Sequence, residues 1–293
     1  MGLLYEYSST DNRSYRRALS TAPLLPEEPS PPTSSEPSEP TETSYTGGDI
    51  AIASLVMMGV FLVLMFASLF VFTFAVVLQN PALIETDDIQ AATEAIIAPY
   101  EEAYALQYVY LAFLYGASLL AGVTFVAFRA GWGWHKLGIQ PLTKRGLAYA
   151  ITMGAIGGTA IMGGVLVGRG SAGLLDDQVM ALSTAFQQAS PSLVAGAALL
   201  FVLVLPMVQE LFFRGVVHNY LRSRMGFIGA LLVSSLVYAS LNLNPTSFLT
   251  NFALGGALAL VFERTGSIWG AVLAHITFNT LTVIMYLTLM NIF

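Results

Sequence analysis

A glutamate and an arginine stand four residues apart inside an apolar stretch of this chain. Residues 192–208 carry no charge, and Gln209, Glu210 and Arg214 follow directly. An ionisable side chain at bilayer depth is costly, so it normally faces a protein interior or a wet cavity and has a partner. The i, i+4 spacing makes Arg214 that partner for Glu210. The pair is either an ion pair that joins two helices or part of a chemical site.

A histidine and an asparagine with the same spacing lie in a second apolar stretch. His275 and Asn279 share one helix face, and His275 is the only histidine predicted to lie deep in a membrane span. Imidazole exchanges a proton near neutral pH, and a carboxamide can donate hydrogen bonds to developing negative charge. His218 lies near a predicted helix end and is interpreted as interfacial, whereas His135 is interpreted as an anchor in an aromatic belt.

Composition places these residues in a membrane protein. The chain has 293 residues, of which 55% are hydrophobic and 10% are charged. A soluble domain has about 25% charged residues, and several apolar stretches here approach or exceed the ~20 residues that cross a bilayer as a helix. The predicted fold class is an all-α, polytopic transmembrane helical bundle. Cysteine is absent, which excludes disulfides and thiolate metal sites, and nothing in the charge pattern supports nucleic-acid binding.

The hydropathy pattern predicts seven spans, or eight if one loop segment also inserts. The loop segments 81–102 and 177–190 are predicted to form surface helices. Glycines of the third span, among them Gly154, Gly157 and Gly158, are expected to allow close helix packing. The predicted spans are Ile50–Val77, Tyr104–Phe128, Gly146–Val167, Leu193–His218, Phe227–Asn242, Ser247–Phe262 and Ile268–Leu289.

Residues 1–48 are predicted to form a disordered tail. Seven of the thirteen prolines lie between Thr21 and Thr46, together with Ser, Thr and Glu, and such a segment cannot bury enough apolar surface to offset its ordering entropy. The tail lacks a basic region followed directly by an apolar one, so we expect the first span to target the protein to the membrane. Residues 49–145 are then expected to hold the first transmembrane helices and loops, and 146–293 the transmembrane core.

The basic residues predict the orientation of the chain. If the tail is cytoplasmic and the chain alternates sides through the seven spans, eleven of the twelve Lys and Arg residues lie on the cytoplasmic side. Only Arg169 falls outside, and the acidic loop 85–102 contains no basic residue. Since basic residues accumulate in cytoplasmic loops, we expect a multi-pass protein of the cell membrane with its amino terminus in the cytoplasm.

Helix geometry predicts that polar groups from three spans converge. Glu210 and Asn242 each lie sixteen residues from the expected turn at Gly226, which is roughly 24 Å along a helix. His275 and Asn279 lie roughly 15–20 Å from the next cytoplasmic turn. The sequence therefore predicts a site within the membrane that is reached from the cytoplasmic side. Its members are Gln209, Glu210, Asn242, His275 and Asn279.

Three motifs in residues 193–285 resemble the CPBP family of intramembrane endopeptidases. This family includes the CAAX prenyl proteases and bacteriocin-processing, self-immunity and lysostaphin-resistance proteins. Its motifs are Glu-Glu-x-x-x-Arg, Phe-x-x-x-His and His-x-x-x-Asn (or Asp). The order and spacing of the motifs agree over about a third of the chain. The matching segments here are Gln209-Glu210-x-x-x-Arg214, Tyr238-x-x-x-Asn242 and His275-x-x-x-Asn279.

The resemblance implies water-mediated peptide hydrolysis with Glu210, His275 and Asn279 as the catalytic residues. Two positions depart from the family: Gln209 stands where the family has the glutamate usually assigned as general base, and Asn242 where it has a histidine. Neither side chain can take a proton from water at neutral pH. Glu210 would then act as the base with His275, and Asn279 would stabilise the oxyanion. The residues expected to support them are Gln209, Arg214, Tyr238 and Asn242.

Several functions stay open on the sequence. By resemblance the chain is an intramembrane endopeptidase of glutamic or metallo type, which acts on membrane-associated or prenylated peptides. A catalytically silent relative would keep the cavity and bind a peptide, a lipid or a membrane partner. A proton-coupled transporter lacks the inverted repeat or paired broken helices expected of it. No cofactor is expected, because Glu210 and His275 are too few ligands for zinc.

Overall fold

The computed structural model describes residues 45–79, 90–91, 93–94, 104–131, 137–170, 186–241 and 248–292. Within these ranges the regular elements are helices, with no strand, so the all-α prediction is confirmed. The described residues all lie in one compact unit, Glu42–Phe293. Its long helices are α1 (Gly47–Gln79), α2 (Tyr104–Arg129), α3 (Lys144–Gly170), α4 (Pro191–Arg222), α5 (Phe227–Leu241), α6 (Phe248–Thr265) and α7 (Ile268–Ile292).

Three of these helices are long and apolar enough to cross a membrane. They are α1, α2 and α4, while α5 and the segment Ile268–Ile284 of α7 are shorter apolar helices. Large apolar side chains of α1, such as Phe70 and Val63, are exposed, as expected of a surface that faces lipid. The chain is therefore a helical membrane protein. Asn242 and most of the two predicted surface helices lie outside the described residues.

The amino-terminal tail predicted from the proline content also lies outside the described residues, as far as residue 44. The last four residues of the predicted tail, 45–48, are described and belong to the helical unit. Tyr45 is buried, and the single proton of its hydroxyl is shared between the carbonyls of Gly215 and Val216, both at 3.0 Å. Because Tyr45 is packed in this way and α1 begins at Gly47, residues 45–48 are part of the packed helices.

Glycines bring α3 and α7 into close contact, as predicted for small residues in membrane helices. A Cβ atom at Gly154 would collide with the carbonyl of Ala274, and one at Gly158 would lie 2.9 Å from Cβ of Leu281. Since the contacts advance along both helices in the same order, α3 and α7 run parallel.

Helices α1 and α2 pack in the opposite sense. Arg129 at the end of α2 forms a 2.9 Å ion pair with Asp49 in the first turn of α1. Nearer the middle, the hydroxyl of Tyr110 donates to the carbonyl of Leu64 at 3.5 Å. The two helices are therefore antiparallel.

Helix α4 departs from regular α-helical geometry on both sides of its short central segment Leu205–Glu210. Residues Leu200–Val204 and Leu211–His218 are π-helical. A proline has no N–H and its ring clashes with the carbonyl four residues earlier, so the turn before Pro206 widens, and the Leu205 N–H bonds to the carbonyl of Leu200. Such π-turns occur often at functional sites. Hydropathy gave no sign of them.

Candidate active site

Glu210 and Arg214 form an ion pair that is shielded from solvent. Their side chains are 0% and 2% exposed. Arg214 Nη1 donates to Glu210 Oε1 at 3.1 Å, and Nη2 donates to the carbonyl of Gly255 on α6 at 2.8 Å. Arg214 Nε also lies 3.0 Å from Glu210 Oε2, but without hydrogen-bond geometry. Oε2 therefore accepts no hydrogen bond among the described residues.

His275 on α7 contacts the same carboxylate. Its Nδ1 lies 2.8 Å from Glu210 Oε1. Since a carboxylate only accepts, this contact assigns the proton to Nδ1, and Nε2 is left with a free lone pair in the neutral ring. No hydrogen bond to Nε2 occurs within the described part of the chain. The arrangement orients an imidazole for proton transfer at Nε2.

Tyr238 on α5 provides an aromatic wall for this group. The guanidinium carbon of Arg214 lies 5.0 Å from the centre of its ring, within the range of a cation–π interaction. The ring also packs edge-to-face against Phe213, at 4.9 Å between centroids, and against His275, at 6.3 Å. Side chains from α4, α5 and α7, with a carbonyl from α6, thus meet at one place.

Asn279 makes a contact that the motifs do not indicate. Its Nδ2 donates to the carbonyl of Phe201 at 2.8 Å. In an α-helix that carbonyl would accept from the N–H of Leu205, which instead bonds to Leu200. The next N–H in line would be that of residue 206, which is a proline. Asn279 therefore supplies the donor that the backbone of α4 lacks, one turn beyond His275.

The structure describes one of the two motif positions at which this chain departs from the family. Gln209 is buried, 7% exposed, and its side chain faces the phenol of Tyr115 on α2. Asn242 lies outside the described residues, so its place in the site stays a prediction. Of the predicted group, the structure brings Glu210, Arg214, Tyr238 and His275 together, with Gln209 and Asn279 at its edges.

His218, which was interpreted as interfacial from its place near a helix end, is buried inside the protein. The residue is 0% exposed, because it lies at the meeting point of three helices. Its Nδ1 lies 3.0 Å from Ser234 Oγ and its Nε2 lies 3.0 Å from Glu263 Oε1. Glu263 also accepts from Arg222 Nε at 3.0 Å. The sequence contains one indication of this burial: His218 follows Arg214 by four residues, as Arg214 follows Glu210, so the three residues lie on one helix face.

The described residues contain no group of three or more His, Cys, Asp or Glu side chains that could hold a metal ion. The contacts of Glu210 define an acid–base pair: a buried carboxylate, fixed by the guanidinium of Arg214, orients the imidazole of His275 inside apolar helices. This arrangement suits proton transfer in a membrane-embedded hydrolase.

Comparison with known proteins agrees with that class. Residues 191–281 match the family described as Type II CAAX prenyl endopeptidase Rce1-like. A stretch of 82 residues is 32% identical to the Bacillus subtilis protein named "Putative membrane peptidase YdiL", covering 28% of this chain and 34% of that protein. The chain thus spans about a third of the length of this curated relative. No solved structure matches the present chain.

The resemblance to CPBP-family intramembrane peptidases is confirmed by these two matches. They support a membrane CAAX-type peptidase in general. The matched region contains α4 to α6 and the part of α7 that carries His275 and Asn279. Helices α1 to α3 lie outside it.

Proposed function

We propose that this chain is a multi-pass endopeptidase that hydrolyses a peptide bond of a membrane-associated or prenylated substrate within the bilayer. The family match supports the reaction class, because it covers Glu210, Arg214 and His275. The observation that carries the proposal is the 2.8 Å contact between His275 Nδ1 and Glu210 Oε1. This contact forms a catalytic pair without the family's usual base, a glutamate, whose position in this chain is occupied by Gln209.

The hydrogen bonds favour His275 as the general base, with Glu210 as the group that orients it. The resemblance had suggested Glu210 as base. Oε1 of Glu210 already accepts from both Arg214 and His275, whereas Nε2 of His275 keeps its lone pair. The negative charge of Glu210 would also stabilise the imidazolium that forms when Nε2 takes a proton.

The reaction proceeds in two proton transfers. Water attacks the carbonyl carbon while its proton passes to His275 Nε2, and the carbonyl oxygen becomes an oxyanion. The C–N bond then breaks, and the proton on Nε2 moves to the leaving nitrogen. The products are a carboxylic acid and an amine, and His275 returns to its neutral form. Positioned acid–base groups of this kind accelerate reactions by about 10²–10⁴-fold.

A silent, peptide-binding relative is the second candidate. Two observations favour it: Gln209 cannot replace a glutamate as base, and Asn279, the expected oxyanion donor, is hydrogen-bonded to Phe201. Such a protein would keep the cavity and its polar groups, bind a peptide, lipid or membrane partner, and leave the peptide bond intact.

Reconstitution in liposomes separates the two functions. Cleavage of a farnesylated CAAX-type hexapeptide and of a transmembrane peptide is measured for the wild type, Glu210→Gln and His275→Ala. The peptidase proposal expects turnover in the wild type and a loss of about 10²–10⁴-fold in both variants. Glu263→Gln is the matched control, because Glu263 contacts His218 and Arg222, away from this pair, and it should retain turnover.

The outcome that contradicts the peptidase proposal is a folded wild-type protein without turnover on either peptide. Turnover gained by the double variant Gln209→Glu with Asn242→His would then identify the chain as a silent relative. Turnover that persists in His275→Ala but not in Glu210→Gln would return the role of base to Glu210.

The membrane arrangement is also proposed: seven spans, a cytoplasmic amino terminus, a tail ending before Tyr45 and a transmembrane core in 146–293. The antiparallel packing of α1 with α2 and the parallel packing of α3 with α7 support an alternating path. Since the chain has no cysteine, single cysteines can be introduced and labelled with an impermeant thiol reagent in whole cells. Arg169→Cys should react and Arg145→Cys should not; the reverse result would contradict this orientation.

A further inference from the structure

Helix α2 lies outside the region matched by the family, yet it packs beside the site on α4. The ring of Tyr108 stacks on Phe201 at 5.4 Å between centroids. Further along, a Cβ atom at Gly116 would lie 2.9 Å from Cδ2 of Leu205, so the backbone of α2 comes close to α4. Tyr115, next to Gly116, is thereby brought against the turn of α4 that contains Gln209 and Glu210.

The hydroxyl of Tyr115 is a buried polar atom that makes no hydrogen bond among the described residues. It faces the side chain of Gln209 and is near the charge of Glu210, but without the geometry of a hydrogen bond. A buried donor without an acceptor is unfavourable, and such donors are rare in native proteins. The position of this donor in the site suggests a reason for it.

Peptide hydrolysis by Glu210 and His275 also needs a hydrogen-bond donor for the oxyanion, and Asn279, the residue expected to supply it, is already engaged. Attack on a peptide carbonyl leaves negative charge on the carbonyl oxygen, and a fixed N–H or O–H aimed at that oxygen stabilises it. The amide of Asn279, the donor implied by the family, is engaged with Phe201 at 2.8 Å. Within the described residues, two buried donors near Glu210 have no hydrogen-bond acceptor: the hydroxyl of Tyr115 and Nε of Arg214. Nε of Arg214 already lies 3.0 Å from Oε2 of Glu210, which leaves the hydroxyl of Tyr115 for a substrate oxygen.

We propose that Tyr115 is a further catalytic residue, which donates its O–H to the oxygen of the scissile carbonyl as that oxygen becomes negative. The proposal rests on the proposed function and adds a donor from α2 to the pair on α4 and α7. Tyr115 stays protonated throughout: the proton from water goes to His275 Nε2 and then to the leaving nitrogen. The tetrahedral oxyanion accepts a hydrogen bond from Tyr115 and loses it when the carbonyl re-forms.

A purely structural tyrosine would behave differently. Its ring packs against the apolar cluster that includes Val208 and Phe212, and its role would then be only to hold α2 against α4. Replacement by phenylalanine keeps that packing and removes only the hydroxyl, so a structural role predicts an unchanged reaction. Tyr110→Phe is a matched control, because Tyr110 lies on the same helix and its hydroxyl points to Leu64 on α1.

The test uses the full-length protein in liposomes, a farnesylated CAAX-type hexapeptide and a phosphinate analogue of that peptide. The phosphinate replaces the scissile amide by a tetrahedral, anionic group. We expect Tyr115→Phe to lower kcat by about 10²–10³-fold, the usual effect of removing one oxyanion donor, with little change in KM. The variant should lose a similar factor in phosphinate affinity but bind the intact peptide normally, and Tyr110→Phe should match the wild type.

Phosphinate binding keeps this inference separable from the proposed function. If the wild type does not cleave the peptide but prefers the phosphinate, and Tyr115→Phe abolishes that preference, the inference about Tyr115 stands and the peptidase proposal fails. Equal phosphinate affinity of the wild type and Tyr115→Phe would overturn the inference. So would a wild type that shows no preference for the phosphinate over the peptide.

Discussion

The carboxamide of Asn279 donates a 2.8 Å hydrogen bond to the backbone carbonyl of Phe201. This bond joins α7 to the π-helical turn of α4 just before Pro206, where the helix has no N–H to offer. The sequence motif therefore has a structural function in addition to any catalytic one. It fixes the register between the helix that carries His275 and the helix that carries Glu210.

A double-mutant cycle tests this relationship. Asn279→Ala should lower the free energy of unfolding by about 1–3 kcal/mol, because it leaves the partly buried carbonyl of Phe201 without a donor. In a Pro206→Ala background the same change should cost less, since the new alanine has an N–H for the preceding turn. Unfolding in detergent, followed by tryptophan fluorescence, measures all four proteins. Additive effects of the two substitutions would show that Pro206 and Asn279 are not coupled in this way.

Arg214 should be the most sensitive residue for stability. Arg214→Ala leaves the carboxylate of Glu210 buried without its counter-ion and removes the donor to Gly255, so we expect a loss of about 3–5 kcal/mol. Arg214→Lys keeps the charge but cannot reproduce the planar contact with both groups, and it should lose less. The same unfolding assay checks both variants. A fully stable Arg214→Ala protein would contradict the interpretation of the pair as a buried, mutually dependent unit.

Much of the site could be predicted because helical spacing is regular. The i, i+4 rule placed Arg214 beside Glu210, and counting residues from the two predicted turns, at Gly226 and at Thr265–Gly266, placed His275 at a comparable depth. Those turns occur where they were expected: α4 ends at Arg222, ahead of Gly226, and α6 ends at Thr265, followed by Gly266 with a positive φ of 61°.

The parts that were missed depend on local geometry or on distant elements. The contact of Asn279 with Phe201 requires a π-turn, which hydropathy does not reveal. Tyr115 is one of thirteen tyrosines, and only the packing of α2 on α4 distinguishes it. The burial of His218 and its contacts with Ser234 and Glu263 were not predicted, because they depend on α5 and α6, which cover that end of α4.

A side chain at Gly255 should be unfavourable, because α5 and α6 come close together there. A Cβ atom would lie 3.1 Å from the Cα of Ser235 and 3.3 Å from Cδ1 of Tyr238. Backbone cannot move aside cheaply, so Gly255→Ala should separate the two helices and disturb the carbonyl that binds Arg214. We expect a lower unfolding temperature and at least a partial loss of turnover.

Gly256→Ala provides the comparison for that prediction. Its Cβ would have 3.6 Å to Leu231 and Ser235, an ordinary contact, and alanine is favoured over glycine in a helix by about 0.5–1 kcal/mol. This variant should be as stable as the wild type or more stable, with unchanged turnover. Equal behaviour of the two variants in thermal unfolding would show that the contact at Gly255 is not tight.

The His218 cluster should support stability without taking part in the reaction. His218→Ala leaves Ser234 without this partner and removes one of the two contacts that Glu263 makes, with His218 and Arg222, so the free energy of unfolding should fall by about 1–3 kcal/mol. The kcat of the folded fraction should change by only a few-fold, because His218 and Glu263 contact neither Glu210 nor His275.

His275→Ala should show the opposite pattern, with turnover lost and stability less affected. Activity per folded molecule, with folding measured in the same liposomes, distinguishes the structural role of His218 from the catalytic role of His275. A selective loss of kcat in a stably folded His218→Ala protein would instead place this second histidine in the proton-transfer path.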